Sequence, residues 1–310
     1  MDKYLAVDVG GTSIKYALMN EEANILDQGE IPTPQNSLED FLSVITQIYW
    51  QYAKQEPKAL VMSAPGRIDS QNGIFYTGGA LGYLHGADMK TLLQERIPIP
   101  FALENDAKSA ALAELWKGSL KETDSGLVLT LGTGIGGAVI VNGKLWRGHT
   151  YAAGEFSPIP VNWNTRNAID SGCWTEMNCT RSLLDRYASA KGIDPSSLDG
   201  RQFFQAVNDG DPDAIAELEW FCETLATALY ALQLALDVEK VSIGGGISRQ
   251  PILIETLDQA MEKLFHRLPW YNPASKPVVE SCTFSNDANL IGALYHYLVN
   301  ARQIDFWKFQ

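Results

Sequence analysis

The chain has 310 residues, 45% hydrophobic and 20% charged, with 24 basic against 37 acidic side chains for a formal charge of -13. That length passes the roughly 250 to 300 residues at which one hydrophobic core stops growing, so about two domains are expected. The acidity disfavours nucleic acid as a partner, and no stretch approaches the roughly 18 consecutive apolar residues of a membrane span.

Taken in chain order, MDKYLAVDVGG enters a strand at once and does not read as a signal peptide, so a cytoplasmic protein is expected. Residues 3–9 and 14–19 form a first strand pair around Gly10, Gly11 and Thr12. Apolar residues at helical spacing then follow Ser37, a serine suited to capping. ALVMSAP (59–65) is a short buried strand ended by Pro65 and Gly66, and the alanine-rich stretch 105–116 is helical. VLTLGTGIGGAVIV (128–141) is a second strand pair around glycines, closed by Asn142-Gly143, a favoured tight turn. Asp211-Pro212 opens a long helix to about Asp237, with cap and first-turn proline in their preferred places. VSIGGGI (241–247) is a strand running into a glycine turn, a helix spans roughly 252–265, VVESCTF is a strand, and DANLIGALYHYLV is a closing helix. This alternation implies an α/β fold.

Two segments, LAVDVGGTSIKYAL (5–18) and LTLGTGIGGAVIV (129–141), are built alike, which suggests two related halves. Glycine and threonine turns between strands present backbone N–H groups with no side chain in the way, a means of holding phosphate oxygens. A single such turn is more often only a turn. Neither segment is a GxxxxGK[ST] loop, and neither is the dinucleotide fingerprint, because each turn leads into a strand. A third turn at Gly244, Gly245 and Gly246 makes a triphosphate with an adenine a reasonable ligand. Four scattered cysteines (Cys173, Cys179, Cys222, Cys282) do not form a disulfide framework, and Cys222 lies in a helical pattern as a buried thiol. His85, His149, His266 and His296 show no metal spacing and are assigned to surface or core packing.

DVGGTSIKYAL (8–18), LENDAKSAALAE (103–114), LGTGIGGAVIVNGKLWRG (131–148), AAGEF (152–156) and IGGGI (243–247) stand in the order and spacing of the ROK family of sugar kinases and related repressors. The chain resembles that family over essentially its whole length. The resemblance implies an actin-like, hexokinase-type (ribonuclease H-like) two-domain α/β fold with ATP and sugar meeting in a cleft. The small domain would take residues 1–118 plus about 291–310, and the large domain residues 119–290. Carried over motif by motif, Gly10, Gly11, Thr12 and Lys15 match the first phosphate loop, with Asp8 near Mg²⁺ and the phosphates. Thr133 and Gly134 match the second phosphate loop, and Gly244 and Gly245 the adenosine-side turn. Asn105 and Asp106 match the sugar-binding pair, with Asp106 in the place of the general base; Glu155 matches a second sugar-binding carboxylate, and Gly79 bounds the sugar pocket. The plain alternatives are a helix cap for Asn105-Asp106 and a simple turn for Gly78-Gly79-Ala80. The chemistry agrees with the family, since a sugar hydroxyl needs a base while phosphoryl transfer otherwise needs alignment and charge neutralisation.

The departures are informative. Most members follow the AGE motif with Gly-His and a cysteine run that ligates a structural zinc, whereas this chain reads AGEFSPIPVNW and keeps only Cys173 and Cys179 nearby. Two thiols without a histidine do not complete a tetrahedral site, so no structural zinc is expected. Glu176 is the nearest counterpart of the following family glutamate, with a surface carboxylate as its plain reading. Pro160, Asn162, Trp163, Asn164 and Trp174 would remodel the anomeric end of the pocket, with aromatic faces available to sugar rings. With SAPG (63–66) and SNDANLIGALYHY (285–297), these features resemble the β-glucoside kinase branch, which implies transfer of the γ-phosphoryl of ATP to the 6-hydroxyl of cellobiose, gentiobiose or a similar β-glucoside.

A glucokinase or N-acetylmannosamine kinase is the nearest alternative. A sugar-sensing repressor would need a DNA-binding segment before the first glycine turn, which here begins near residue 8. The aromatic tail IDFWKFQ is expected to dock on its own domain or on a second subunit, and a homodimer is expected from the family.

Overall fold

The computed structural model describes residues 1–161, 172–267 and 273–307, with side chains through residue 300. Asn162, Trp163 and Asn164, and the side chains of the tail, lie outside the described residues. The chain divides into two units: Met1–Gly118 with Arg147–Ala153 and Asn286–Gln310, and Ser119–Trp146 with Gly154–Ser285.

The first unit is built on strands β1 (Lys3–Val9), β2 (Ser13–Asn20), β3 (Ile25–Pro32), β4 (Leu60–Ala64) and β7 (Phe101–Asn105) in the order β3-β2-β1-β4-β7. The first three form an antiparallel meander, while β1, β4 and β7 run parallel. β4 is buried at every position, as a central parallel strand requires. A small hairpin, β5 (Ile68–Asp69) and β6 (Ile74–Phe75), follows β4. Helix α1 (Leu38–Tyr52) starts where the Ser37 side chain accepts the Asp40 amide, and it buries Phe41, Leu42, Ile45, Ile48, Tyr49 and Tyr52. A short helix, α2 (Met89–Gln94), precedes β7. Helix α3 (Asp106–Lys117) leaves β7 directly and packs against the closing helix α9 (Ala288–Trp307).

The second unit repeats the plan. Strands β8 (Gly126–Leu131), β9 (Ile135–Val141), β10 (Lys144–Trp146), β11 (Lys240–Gly244) and β12 (Val278–Ser281) lie in the order β10-β9-β8-β11-β12. Again three strands form an antiparallel meander, and the inner one, β8, pairs in parallel with β11, which pairs in parallel with β12. Asn142 and Gly143 both take positive φ, 53° and 64°, the geometry of a two-residue hairpin turn whose twist suits its flanking strands. Helices α4 (Trp174–Asn178), α5 (Thr180–Lys191), α6 (Gly200–Asn208), α7 (Pro212–Leu236) and α8 (Pro251–Arg267) supply the remaining cover. Asp211 caps α7 by accepting the amides of Asp213 and Ala214, with Pro212 at the first helical position. Cys222 is fully buried in α7, where burial pushes its thiol up to about 12.

Each unit therefore pairs one five-stranded sheet of identical order with helices, and each has its own apolar core. This is the actin-like, hexokinase-type α/β architecture. Among the described residues no helix is long and apolar enough to cross a membrane.

Candidate active site

In the first unit the turn between β1 and β2 is fastened from beneath. Gly10 donates its amide to Ser13 O at 2.9 Å, and Thr33, just past β3, donates its hydroxyl to Gly10 O at 2.7 Å. Thr33 N reaches Thr12 O at 3.0 Å, and Gln35 Nε2 reaches Gly11 O at 2.8 Å. With its carbonyls tied back, the turn leaves Gly11 and Thr12 exposed, as a backbone anion cradle requires. Asp8, near the end of β1, is paired in register with Lys15 on β2 and Ser63 on β4. It accepts a 3.0 Å hydrogen bond from Asn289 Nδ2 at the start of α9. Burial pushes the Asp8 carboxyl above the usual carboxylate range, against the opposing pulls of Asn289, Ser63 and Lys15.

The sugar-side candidates of this unit sit on the junction of β7 and α3. Asn105 is the N-cap of α3: its Oδ1 accepts Lys108 N at 3.0 Å. Its Nδ2 donates to Gly66 O at 2.9 Å and to Asp106 Oδ1 at 2.8 Å. Asp106 is half-buried at the first position of the helix, and its Oδ1 also accepts Ala107 N at 2.7 Å. Gly66 has φ of 102° and lies so close to Thr77 O that a Cβ would run into it. A Cβ on Gly79 would lie 3.2 Å from Gly66 N, and one on Gly11 would lie 3.8 Å from Ala80 Cβ. Asn105-Asp106, Gly66, Gly79-Ala80 and Gly11 thus form one continuous run of close neighbours. The glycine turn between β1 and β2 and the Asn105-Asp106 junction are thereby linked within this unit.

The second unit gathers its own set. Gly132 N donates to Gly134 O at 3.0 Å across the turn, and Thr180 N donates to Gly132 O at 2.9 Å, bringing the start of α5 against it. Thr133 is exposed at the tip. Ser157 brackets the following strand, accepting Ile135 N at 3.1 Å and donating to Ile135 O at 2.8 Å. Gly134 lies against the hydroxyls of both Ser157 and Thr175, each 3.4 Å from the position of a Cβ. Glu155, two residues before Ser157, and Glu176, one after Thr175, are both exposed. At the end of β11, Gly245 takes φ of 94° and lies against Leu131 backbone, where a Cβ would strike the carbonyl. The Gly244–Gly246 turn thus abuts Leu131, from which the Gly132–Gly134 turn leaves β8.

Trp174 does not stand where sequence reasoning put it. It is fully buried and packs on Phe156, ring centroids 5.8 Å apart, so it offers no face to a sugar. The register explains this, since Pro160 bridges Cys173 and Trp174 N bonds Ile159 O, turning the indole into the core. Cys173 and Cys179 are both buried; the thiol of Cys173 donates to Pro158 O at 3.7 Å and the sulfur of Cys179 accepts Ser182 N at the head of α5. Among the described residues no group of three His, Cys, Asp or Glu side chains is arranged to hold a metal ion.

Sequence reasoning missed the supports of these turns: Thr33, Asn289, Ser157 and Thr175. Each lies far in the chain from the turn it serves, without a motif of its own; only SNDANLIGA, holding Asn289, was visible as a family feature.

The chain is 32% identical over 296 residues to a β-glucoside kinase of Klebsiella pneumoniae, covering 95% of this chain and 96% of that one. A ROK family protein of Streptococcus pneumoniae TIGR4, solved in complex with sucrose, superposes with a TM-score of 0.86 at 30% identity, covering 97% of this chain and 99% of that one. A ROK family glucokinase of Streptomyces griseus, solved with glucose and AMPPNP, gives a TM-score of 0.76 at 25% identity over 94% and 98% of the two chains. Residues 4–300 match the family model described as ROK family, and the chain belongs to that family.

Proposed function

We propose that this ATP-dependent sugar kinase transfers the γ-phosphoryl of ATP to the 6-hydroxyl of a β-glucoside such as cellobiose or gentiobiose, with Asp106 as the general base. The observation that carries the reading is the run Asn105-Asp106, Gly66, Gly79-Ala80 and Gly11, which links a carboxylate to an exposed glycine turn within the first unit. The likeness to a β-glucoside kinase and to a protein solved with a disaccharide favours a two-ring acceptor over a free hexose.

In this reading Gly10 shapes the turn while the backbone amides of Gly11 and Thr12 hold phosphate oxygens on the first unit, with Lys15 adding positive charge. Thr133 and Gly134 do the same on the second unit, where Gly244 and Gly245 lie along the adenosine. Asn105, Glu155, Glu176 and Gly79 hold sugar hydroxyls. Asp106 takes the hydroxyl proton as the oxygen attacks, a contribution of about 10² to 10⁴ in rate for such a base. The hydrogen bond from Asn105 and the helix-end amide on Oδ1 hold that carboxylate still.

Mg²⁺ bound with ATP would neutralise phosphate charge and hold the phosphates in line. The residues fit it: Asp8 is a hard oxygen donor whose burial disfavours a bare charge, so a cation nearby relieves a cost that Asn289 and Lys15 only partly offset. The chain is proposed to need no structural zinc, to be cytoplasmic and to pair as a homodimer.

A coupled ATPase assay with cellobiose, gentiobiose, glucose, N-acetylglucosamine and N-acetylmannosamine tests the acceptor. Turnover of the β-glucosides above the free hexoses is expected. Strong turnover of glucose with none of cellobiose rejects the β-glucoside assignment and leaves a glucokinase. Elemental analysis of the purified protein tests the metal statement, and one zinc per chain overturns it.

A further inference from the structure

An ionic cluster in the first unit grips the strand end that carries Asn105. Glu104 is completely buried, a costly place for a carboxylate unless it is paired and hydrogen-bonded. Its Oε2 accepts from Arg147 twice, from Nε at 2.9 Å and Nη2 at 2.7 Å, and its Oε1 accepts the backbone N–H of Asn105 at 2.9 Å. The same Arg147 Nη2 reaches His296 Nδ1 at 3.1 Å. Burial holds the His296 ring down to about 4, so at neutral pH it is uncharged and Nδ1 accepts the hydrogen bond. Of the three groups, Arg147 is then the cation and Glu104 the anion.

Arg147 also opens the short stretch Arg147–Ala153, which belongs to the first unit although the residues on either side of it belong to the second. The stretch closes on itself through Ala153 N and Arg147 O at 3.2 Å, and Tyr151 is anchored by a hydrogen bond to Asp69. Next in sequence come Gly154 and Glu155.

We propose that Arg147 is a positioning residue for the base: its two-point grip on Glu104 fixes the Asn105 backbone, and through the Asn105 side chain the carboxylate of Asp106. The chain of contacts is unbroken, from the guanidinium to Oε2, from Oε1 to Asn105 N, and from Asn105 Nδ2 to Asp106 Oδ1. A planar fork sets an orientation that a single ammonium does not. Displacements of the order of 1 Å at a reacting group cost up to about 10² in rate, so the effect should be visible in kcat. The inference rests on Asp106 being the base.

The test compares Arg147→Met, Arg147→Lys and the double variant Glu104→Gln with Arg147→Met, using whichever sugar the wild type phosphorylates. Arg147→Met should lower both Tm and kcat, the latter by roughly ten- to a hundredfold, with KM for ATP within about twofold. Arg147→Lys should fall between it and the wild type. The double variant leaves no charge in the pocket, so its Tm should recover while its kcat stays low, because nothing then orients residue 104. A kcat that recovers together with Tm overturns the inference, since the cluster then serves the fold alone. If Arg147→Met does not fold, the other two variants decide. Unchanged kcat in the Arg147 variants, in a protein whose Asp106→Asn form is inactive, overturns this inference and spares the base assignment; an active Asp106→Asn form removes the base assignment itself.

Discussion

Asn105 Nδ2 donates to Asp106 Oδ1 at 2.8 Å while Asn105 Oδ1 caps the helix that begins at Asp106. One amide therefore does two jobs, and they can be separated. Replacing the cap by alanine costs about 1 kcal/mol of stability, and Asn105→Ala should also lose turnover because Asp106 loses a donor. Asn105→Ser keeps a capping hydroxyl too short to donate in the same way. Its Tm should approach wild type while kcat remains depressed; thermal melts and steady-state rates on the same samples decide, and equal recovery of both would show that Asn105 acts only as a cap.

His296 makes the fold sensitive to mild acid. Its folded value of about 4 lies below the ordinary 6.5, so the folded state resists a proton that the unfolded chain accepts. The contribution is complete above about pH 6.5 and is lost as pH falls toward 4, a loss of about 3 kcal/mol for this depth of burial. Burial pushes the Glu104 carboxyl up, but Arg147, His296 and the Asn105 N–H together hold it below the ordinary carboxylate range, so its contribution is present above that range and is lost as pH falls below it. Urea midpoints measured at pH 7 and pH 5 should differ clearly in the wild type and much less in His296→Gln; identical pH dependence in the two proteins would place the acid sensitivity elsewhere.

Gly245, in the turn proposed to lie along the adenosine, packs on Leu131 at the root of the second glycine turn. With φ of 94° and Leu131 backbone against it, Gly245→Ala must bend the turn or distort β8. The cost is of order 1 to 3 kcal/mol for a residue forced into such a conformation. KM for ATP should rise several-fold with little change in KM for sugar. A variant with normal KM for ATP would separate this turn from the nucleotide.

Much of the fold is legible in the sequence. Ser37 and Asp211 announced their helices because a capping side chain and a following apolar stripe are local signals, and Asn142-Gly143 announced its turn for the same reason. The glycine turns were legible because backbone exposure between strands leaves a compositional mark. β3 escaped notice because its residues are mostly exposed and polar, giving no clean alternation. Trp174 misled because an aromatic beside a candidate site looks like a sugar platform until the strand bridge of Pro160 and Cys173 shows which way it turns. The cluster of Glu104, Arg147 and His296 has no sequence signature, since its members come from distant segments and meet only in the folded unit.

The most direct test of the account is the turnover of Asp106→Asn measured beside its affinity for ATP. The substitution keeps the shape and the hydrogen bond to Asn105 but removes the proton acceptor. The account predicts ATP affinity within about twofold of wild type and a kcat lower by about 10² or more. Sugar phosphorylation at near wild-type kcat would contradict it.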